Sequence, residues 1–188
     1  MEYFSAEWNG HKIVVENKMK ETLFIDGKPV AASKPGVRMG IALDAEIEGE
    51  NGLHCFVLLD MTADLLHASG SCIIGKLAET EYNKETKAHT AVVDGKKIEV
   101  INKLQSVLLV DGEEVDREPN GLHFSNIHST KPDADGKRLF AILDGVSEVR
   151  LKPKCSVYSD AVAVKMYKAQ KDENGNIVPL ESLRPLVD

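Results

Sequence analysis

No apolar run in the sequence approaches the roughly 20 residues of a membrane-spanning helix, so no membrane contact is expected. The first ten residues, MEYFSAEWNG, lack a basic start followed by an apolar core, so no signal peptide is read there. Asn-x-Ser/Thr sites are missing too, in keeping with an intracellular, cytoplasmic location. Cysteine is scarce and odd in number. Cys55, Cys72 and Cys155 have no C-x-x-C spacing, which excludes a disulfide framework and a zinc site of the usual kind. Positive charge is short: 23 Lys and Arg stand against 30 Asp and Glu, a net charge of −7. Phosphate backbones repel such a chain, so nucleic acid is not an expected partner. There is no G-x-S-x-G, no H-E-x-x-H and no Gly-rich phosphate loop, and no cofactor is expected.

What is present is a fragment written twice. NKMKETLFIDGKPV (17–30) returns as NKLQSVLLVDGEEV (102–115). Placing Gly10–Val30 over Gly95–Val115 without a gap makes ten of 21 positions identical. The match continues with small slips, NGLHCFVLLD (51–60) lying over DGKRLFAILD (135–144). Turn signals repeat with it: Asn9-Gly10, Asp26-Gly27 and Asn51-Gly52 correspond to Asp94-Gly95, Asp111-Gly112 and Asp135-Gly136. Such pairs suit the type I′ turn of a tight β-hairpin, which needs positive φ at both central residues.

Between the turns the pattern is that of strands. In GIALDAEIE (40–48), Ile41, Leu43, Ala45 and Ile47 alternate with Asp44, Glu46 and Glu48. Ile13 and Val15 share a parity, as do Ile98 and Val100. TLFID (22–26) and VLLVD (107–111) are apolar at both parities and read as central strands covered on both faces. Cys155–Ala169 reads as a late strand bent near Ser159-Asp160. MTADLLHAS (61–69) is read as strand or turn, and a short helical turn is predicted at Leu180–Leu183. The expected architecture is all-β with little helix: an antiparallel β-sandwich built from two tandem homologous hairpin repeats. The first repeat covers 1–81, the second 91–169 and a tail 170–188. The polar YNKETKAHT (82–90) is the expected junction.

The hairpin HKIVVENKMKETLFIDGK resembles the Fas apoptotic inhibitory molecule family, which carries an HKI strand leading to a hairpin with VDGK and repeats a related unit. His11, Lys12, Ile13, Asp26, Gly27 and Lys28 carry the likeness; Lys97, Ile98, Asp111 and Gly112 offer a second copy. It covers about a quarter of the chain. The family's aromatic-rich strands are not matched, since Trp8 is the single tryptophan and aromatics make up 5%. The resemblance implies an intracellular, non-catalytic β-sandwich acting through protein contacts, and it transfers no site residue.

Candidate sites are few. Asp44, Glu46 and Glu48, extended by Glu50, form an acidic stripe that reads as a solvated sheet face or as a docking surface for a basic partner. His123, His128, Asp133 and Asp135 form a candidate metal set, provided that the chain turns between the two histidines. Ser69–Cys72 near His67 is the closest local nucleophile–base cluster and reads as a turn entering a strand. The expectation is a non-catalytic, monomeric or homodimeric binding module with a protein partner. A groove between the halves holding a small ligand or sugar, and an enzyme site around 123–135, are the alternatives.

Overall fold

The computed structural model describes residues 2–34, 40–60, 69–103, 105–118, 125–145 and 153–187. Among these, every regular element is a β-strand. The first eight are β1 (Glu2–Trp8), β2 (His11–Asn17), β3 (Thr22–Ile25), β4 (Lys28–Ala32), β5 (Gly40–Glu46), β6 (Leu53–Asp60), β7 (Ser69–Ala78) and β8 (Glu81–Asn83). The rest are β9 (Ala88–Val93), β10 (Lys96–Asn102), β11 (Ser106–Val110), β12 (Glu113–Arg117), β13 (Ser125–Ser129), β14 (Arg138–Asp144), β15 (Lys154–Val164), β16 (Tyr167–Lys171) and β17 (Ile177–Ser182).

The turns follow from the Asn-Gly and Asp-Gly pairs. Asn9-Gly10, Asp26-Gly27, Asp94-Gly95 and Asp111-Gly112 close the hairpins β1–β2, β3–β4, β9–β10 and β11–β12. All eight residues have positive φ, between 46° and 85°, as the type I′ turn demands. Asp26 and Asp111 do more than turn. Their carboxylates accept the backbone N–H of Lys12 and Lys97, at 2.9 and 2.8 Å, tying each turn to the neighbouring strand. The pairings also break at matching places, with a bulge between Leu23 and Phe24 and another between Leu108 and Leu109. Asp135-Gly136 departs from expectation, since only Gly136 has positive φ. There the turn is longer, and Asp133 Oδ1 organises it by accepting the N–H groups of Asp135 and Lys137.

Three antiparallel sheets result: a first outer sheet β17-β16-β1-β2-β3-β4, a second outer sheet β12-β11-β10-β9-β8, and a central sheet β13-β14-β15-β7-β6-β5. Four strands cross over between sheets: β5 follows β4 but pairs with β6, β8 follows β7 but pairs with β9, β13 follows β12 but pairs with β14, and β16 follows β15 but pairs with β1. The polar junction near 82–90 is therefore the β8–β9 hairpin of the second outer sheet.

Both outer sheets lie on one face of the central sheet. On β7, Cys72 and Ile74 pack with Ile13, Val15 and Leu23 of the first outer sheet, while Ala78, of the same parity, packs with Ile98, Val100 and Leu108 of the second. Across β7, Val162 and Val157 face Ile74 and Ala78. These two differ in parity along β15. A bulge between Ser159 and Val162, with Asp160 at φ 48°, re-phases the strand and keeps both on the same side. Gly75 gives this bulge room: a Cβ there would lie 2.4 Å from Ala161 Cβ. The other face of the central sheet holds Phe56, Leu58, Ile73, Phe140, Ile142 and Tyr158, with Leu186 and Val187 packed against them.

Two expectations are corrected. The doubly covered strands are β6, β7, β14 and β15, whereas β3 and β11 stand next to the edge strands of outer sheets: β3 buries Leu23 and Ile25 and leaves Phe24 half-exposed, and β11 buries Val107 and Leu108 but leaves Leu109 and Val110 half-exposed. The helical turn at Leu180–Leu183 is replaced by β17, which pairs with β16 through a bulge beside Pro179. Proline is accommodated there because β17 is an edge strand with no further neighbour to receive its N–H. MTADLLH (61–67) lies outside the described residues.

Candidate functional site

Position 106 opens β11 and position 118 follows β12, and the chain brings them face to face. The Glu118 N–H donates to the Ser106 carbonyl at 3.0 Å, and Ser106 Oγ lies 2.9 Å from Glu118 Oε2. The first hairpin unit has the same pair exchanged. The Ser33 N–H donates to the Glu21 carbonyl at 2.9 Å, and the Ser33 hydroxyl donates to the Glu21 carboxylate. In the first unit β5, the edge strand of the central sheet, turns Ile41 and Leu43 into the core. In the second unit β13 supplies Asn126 and His128 instead. Their cross-strand neighbours Leu143 and Ala141 belong to the core beneath the second outer sheet, which fixes the face on which they lie.

A buried polar network follows. His128 Nε2 lies 2.6 Å from Ser106 Oγ, and its Nδ1 lies 3.2 Å from Asp116 Oδ2. Asn126 Nδ2 donates to Ser106 Oγ at 2.9 Å, and the Ser129 N–H donates to Asp116 at 3.0 Å. Burial pulls the His128 pKa below the ordinary imidazole range, opposed by the negative charge of Asp116 and, more weakly, of Glu118. A neutral ring can give Nδ1–H to Asp116, while the single hydroxyl proton of Ser106 has two acceptors within reach, Glu118 Oε2 and His128 Nε2.

Serine, histidine and aspartate in a hydrogen-bonded chain invite comparison with a hydrolytic triad, but the surroundings argue otherwise. Ser106 is 1% exposed, and its Oγ is ringed by Glu118, Asn126 and His128. A nucleophile needs an open side toward an acyl carbon and donors for the oxyanion. What the network does is hold β11, β12 and β13 together and present one wall of a cleft. That cleft, of about 660 Å³, is lined by Asp60, Asp116, Glu118 and Ser125, by Arg117 and Arg184, and by apolar Leu58, Ile127, Leu186 and Val187. Ser125 Oγ is buried there without a hydrogen-bond partner.

The residues expected to form sites are dispersed by the fold. Asp44 lies on the back face, accepting from Tyr158 Oη at 2.9 Å and facing His54 Nδ1 at 3.0 Å. Glu46 is exposed, and Glu48 pairs with Lys28 at 2.6 Å. Glu50 lies 3.2 Å from His11 Nε2, while Asp26 holds Nδ1 at 2.7 Å. Of the metal set, His123 and its immediate neighbours lie outside the described residues. His128 has both ring nitrogens engaged, Asp133 organises a turn and Asp135 is exposed. Among the described residues no three His, Cys, Asp or Glu side chains stand close enough together to share a metal ion. Cys72 is buried 3.6 Å from Cys55 Sγ, and that neighbour together with burial pushes its pKa well up, against a thiolate role; His67 is outside the described residues. No helix among the described residues is long and apolar enough to cross a membrane.

The network at 106, 116, 118, 126 and 128 escapes a search for motifs because each residue sits on a different strand or strand end. One signal was available: aligning the repeats sets Glu21 and Ser33 over Ser106 and Glu118, an exchanged acid–hydroxyl pair at the same spacing. No protein family, curated protein or solved structure matches this chain.

Proposed function

We propose that the protein is a non-catalytic, cytoplasmic binding module made from two copies of one hairpin unit, and that it takes a segment of a protein partner in the cleft beside β12 and β13. The observation that carries this reading is the composition of that cleft, whose lining combines Asp60, Asp116 and Glu118 with Leu58, Ile127 and Val187, and in which Arg117 is paired with Glu114 and Arg184 comes from the chain's own 183–187 segment. Such a surface favours a basic segment that also carries an aliphatic side chain. The unpartnered Ser125 hydroxyl supports it, since a buried polar atom gains most from a ligand that completes it. The resemblance to the Fas apoptotic inhibitory molecule family points the same way, and three free, buried cysteines suit a reducing compartment. The test is a peptide-display selection against the intact protein. Enriched peptides should carry Lys or Arg next to aliphatic residues, and Glu118→Lys together with Asp60→Lys should abolish the enrichment. Selection unaffected by those reversals would reject the cleft as the site.

One observation favours a second reading, a small-anion site. A cleft of about 350 Å³ between β9–β10 and the β13–β14 turn is lined by Lys96, Lys131, Lys137 and Arg138, and Arg138 Nε is buried with no acceptor. Asp133 and Asp160 in its wall are engaged by backbone N–H groups and by Lys76. Chemical-shift changes at these lysines on adding inorganic phosphate, lost in Arg138→Gln, would support it.

A further inference from the structure

β7 is longer at its start than the strand beside it. β15 ends at Val164, opposite Cys72, so the Ser69–Ser71 edge of β7 runs on past its neighbour. The chain's own segment 183–187 takes the vacant place. Arg184 forms a parallel bridge to Ser69, the Gly70 N–H donates to the Arg184 carbonyl at 2.9 Å, and the Leu186 N–H donates to Ser71 Oγ at 2.9 Å. Leu183 is buried in the core beneath the first outer sheet, and Leu186 reaches the back-face cluster. Gly70 makes the first of these possible: a Cβ there would lie 2.9 Å from Leu183 Cδ1 and 2.5 Å from Leu59 Cδ2.

This is peptide recognition by strand addition, carried out within one chain: the main chain supplies hydrogen bonds and two leucines supply anchorage. The occupant is held unevenly. Leu183 is buried, but Arg184 and Pro185 are exposed and Leu186 and Val187 are half-exposed. Arg184 lies along the same cleft as the carboxylates of Asp60, Asp116 and Glu118, so its charge complements the wall beside it.

We propose that the Ser69–Ser71 edge and the adjoining cleft form an exchangeable peptide groove, with residues 183–187 as resident occupant and an extended partner segment of leucine, a basic residue, one further residue and leucine as its competitor. This deepens the binding-module reading and rests on it. A resident tethered at millimolar effective concentration lowers the apparent affinity for any competitor, so the groove is closed until the resident is released.

The probe is a fluorescein-labelled peptide of sequence ESLRPLVD, titrated by anisotropy against the full chain and against the full chain carrying Leu183→Ala and Leu186→Asp. The released variant should bind at least tenfold more tightly, and a peptide with both leucines changed to alanine should not bind it. Leu186→Asp alone, at a half-exposed position, serves if the double variant loses its sheet spectrum. Equal binding by the intact and released chains, no binding by a folded released chain, or undiminished binding of the alanine peptide would each overturn the exchange. Display selection that enriches basic segments lacking the paired leucines, with segment 183–187 still docked, would leave the module standing while removing the exchange.

Discussion

The two halves of the molecule solve the same packing problem differently. Beneath the first outer sheet, β5 turns Ile41 and Leu43 inward, and the acid–hydroxyl pair Glu21–Ser33 remains a closed couple. Beneath the second, β13 turns Asn126 and His128 inward, and the couple Ser106–Glu118 grows into a network that reaches Asp116. The hairpins match in turn geometry and in bulge position. The difference therefore lies in side chains on the central sheet's edge strands. One edge is sealed by apolar packing. The other is sealed by hydrogen bonds, which leaves carboxylates and an unpartnered Ser125 along a cleft. The apolar edge turns no titratable group inward; the polar one turns in His128, which Asp116 faces.

The sharpest way to break the comparison is to delete the inward side chain on each edge. Leu43→Ala removes a buried aliphatic group and should cost about 3 kcal/mol, transfer and cavity contributions together. Gly75→Ala strikes the seam shared by the halves, where the new methyl meets Ala161 Cβ and, at 2.9 Å, the Ser159 carbonyl. Backbone cannot yield as a flexible side chain does, so about 2–3 kcal/mol of strain is expected. His128→Ala leaves Ser106 and Asp116 without their shared partner, at about 2 kcal/mol, whereas Asn126→Ile with His128→Leu, copying the first half, should recover much of that loss. Urea denaturation followed by circular dichroism measures all of these. Loss from His128→Ala below about 0.5 kcal/mol would mean that the network does not hold the second edge.

Acid should separate the halves. His11 is raised, by its hydrogen bonds to Asp26 and then to Glu50. Its contribution is complete below the unfolded value near 6.5 and is lost as pH rises through the higher folded value. His128 and His89 are lowered by burial, so their folded forms resist protonation. Their contribution is present above about 6.5 and is lost as pH falls, because the unfolded chain takes up protons that the folded one refuses. Replacing His128 by Gln should flatten the loss of stability between pH 7 and pH 5, and replacing His11 by Gln should steepen it; identical pH profiles for the two variants would contradict the assignment. The smallest effect belongs to Glu46→Lys on the exposed remnant of the acidic stripe, where a change within about 0.5 kcal/mol is expected.

Much of this was legible along the chain. The parities of Ile13 with Val15, of Ile98 with Val100 and of Ile41 with Leu43 and Ile47 all describe real faces. The bend near Ser159-Asp160 is the bulge of β15. The acidic stripe was legible as alternation but not as a surface. Period 2 says that Asp44, Glu46 and Glu48 share a side; it does not say that Tyr158, on β15 with β7 and β6 between it and β5, will reach Asp44. The network at His128 was hidden for the same reason, its members meeting across sheets rather than along a strand.

Local chemistry wrote the strands, their inward faces and their turns into the sequence, because a pleat alternates every residue and a positive-φ turn admits few residue types. The crossovers of β5, β8, β13 and β16, the seating of both outer sheets on one face, and the docking of 183–187 beside β7 were decided only in the folded molecule. Backbone pairing is indifferent to the identity of the side chains it carries, so which edges meet is settled by the apolar area that the whole assembly buries.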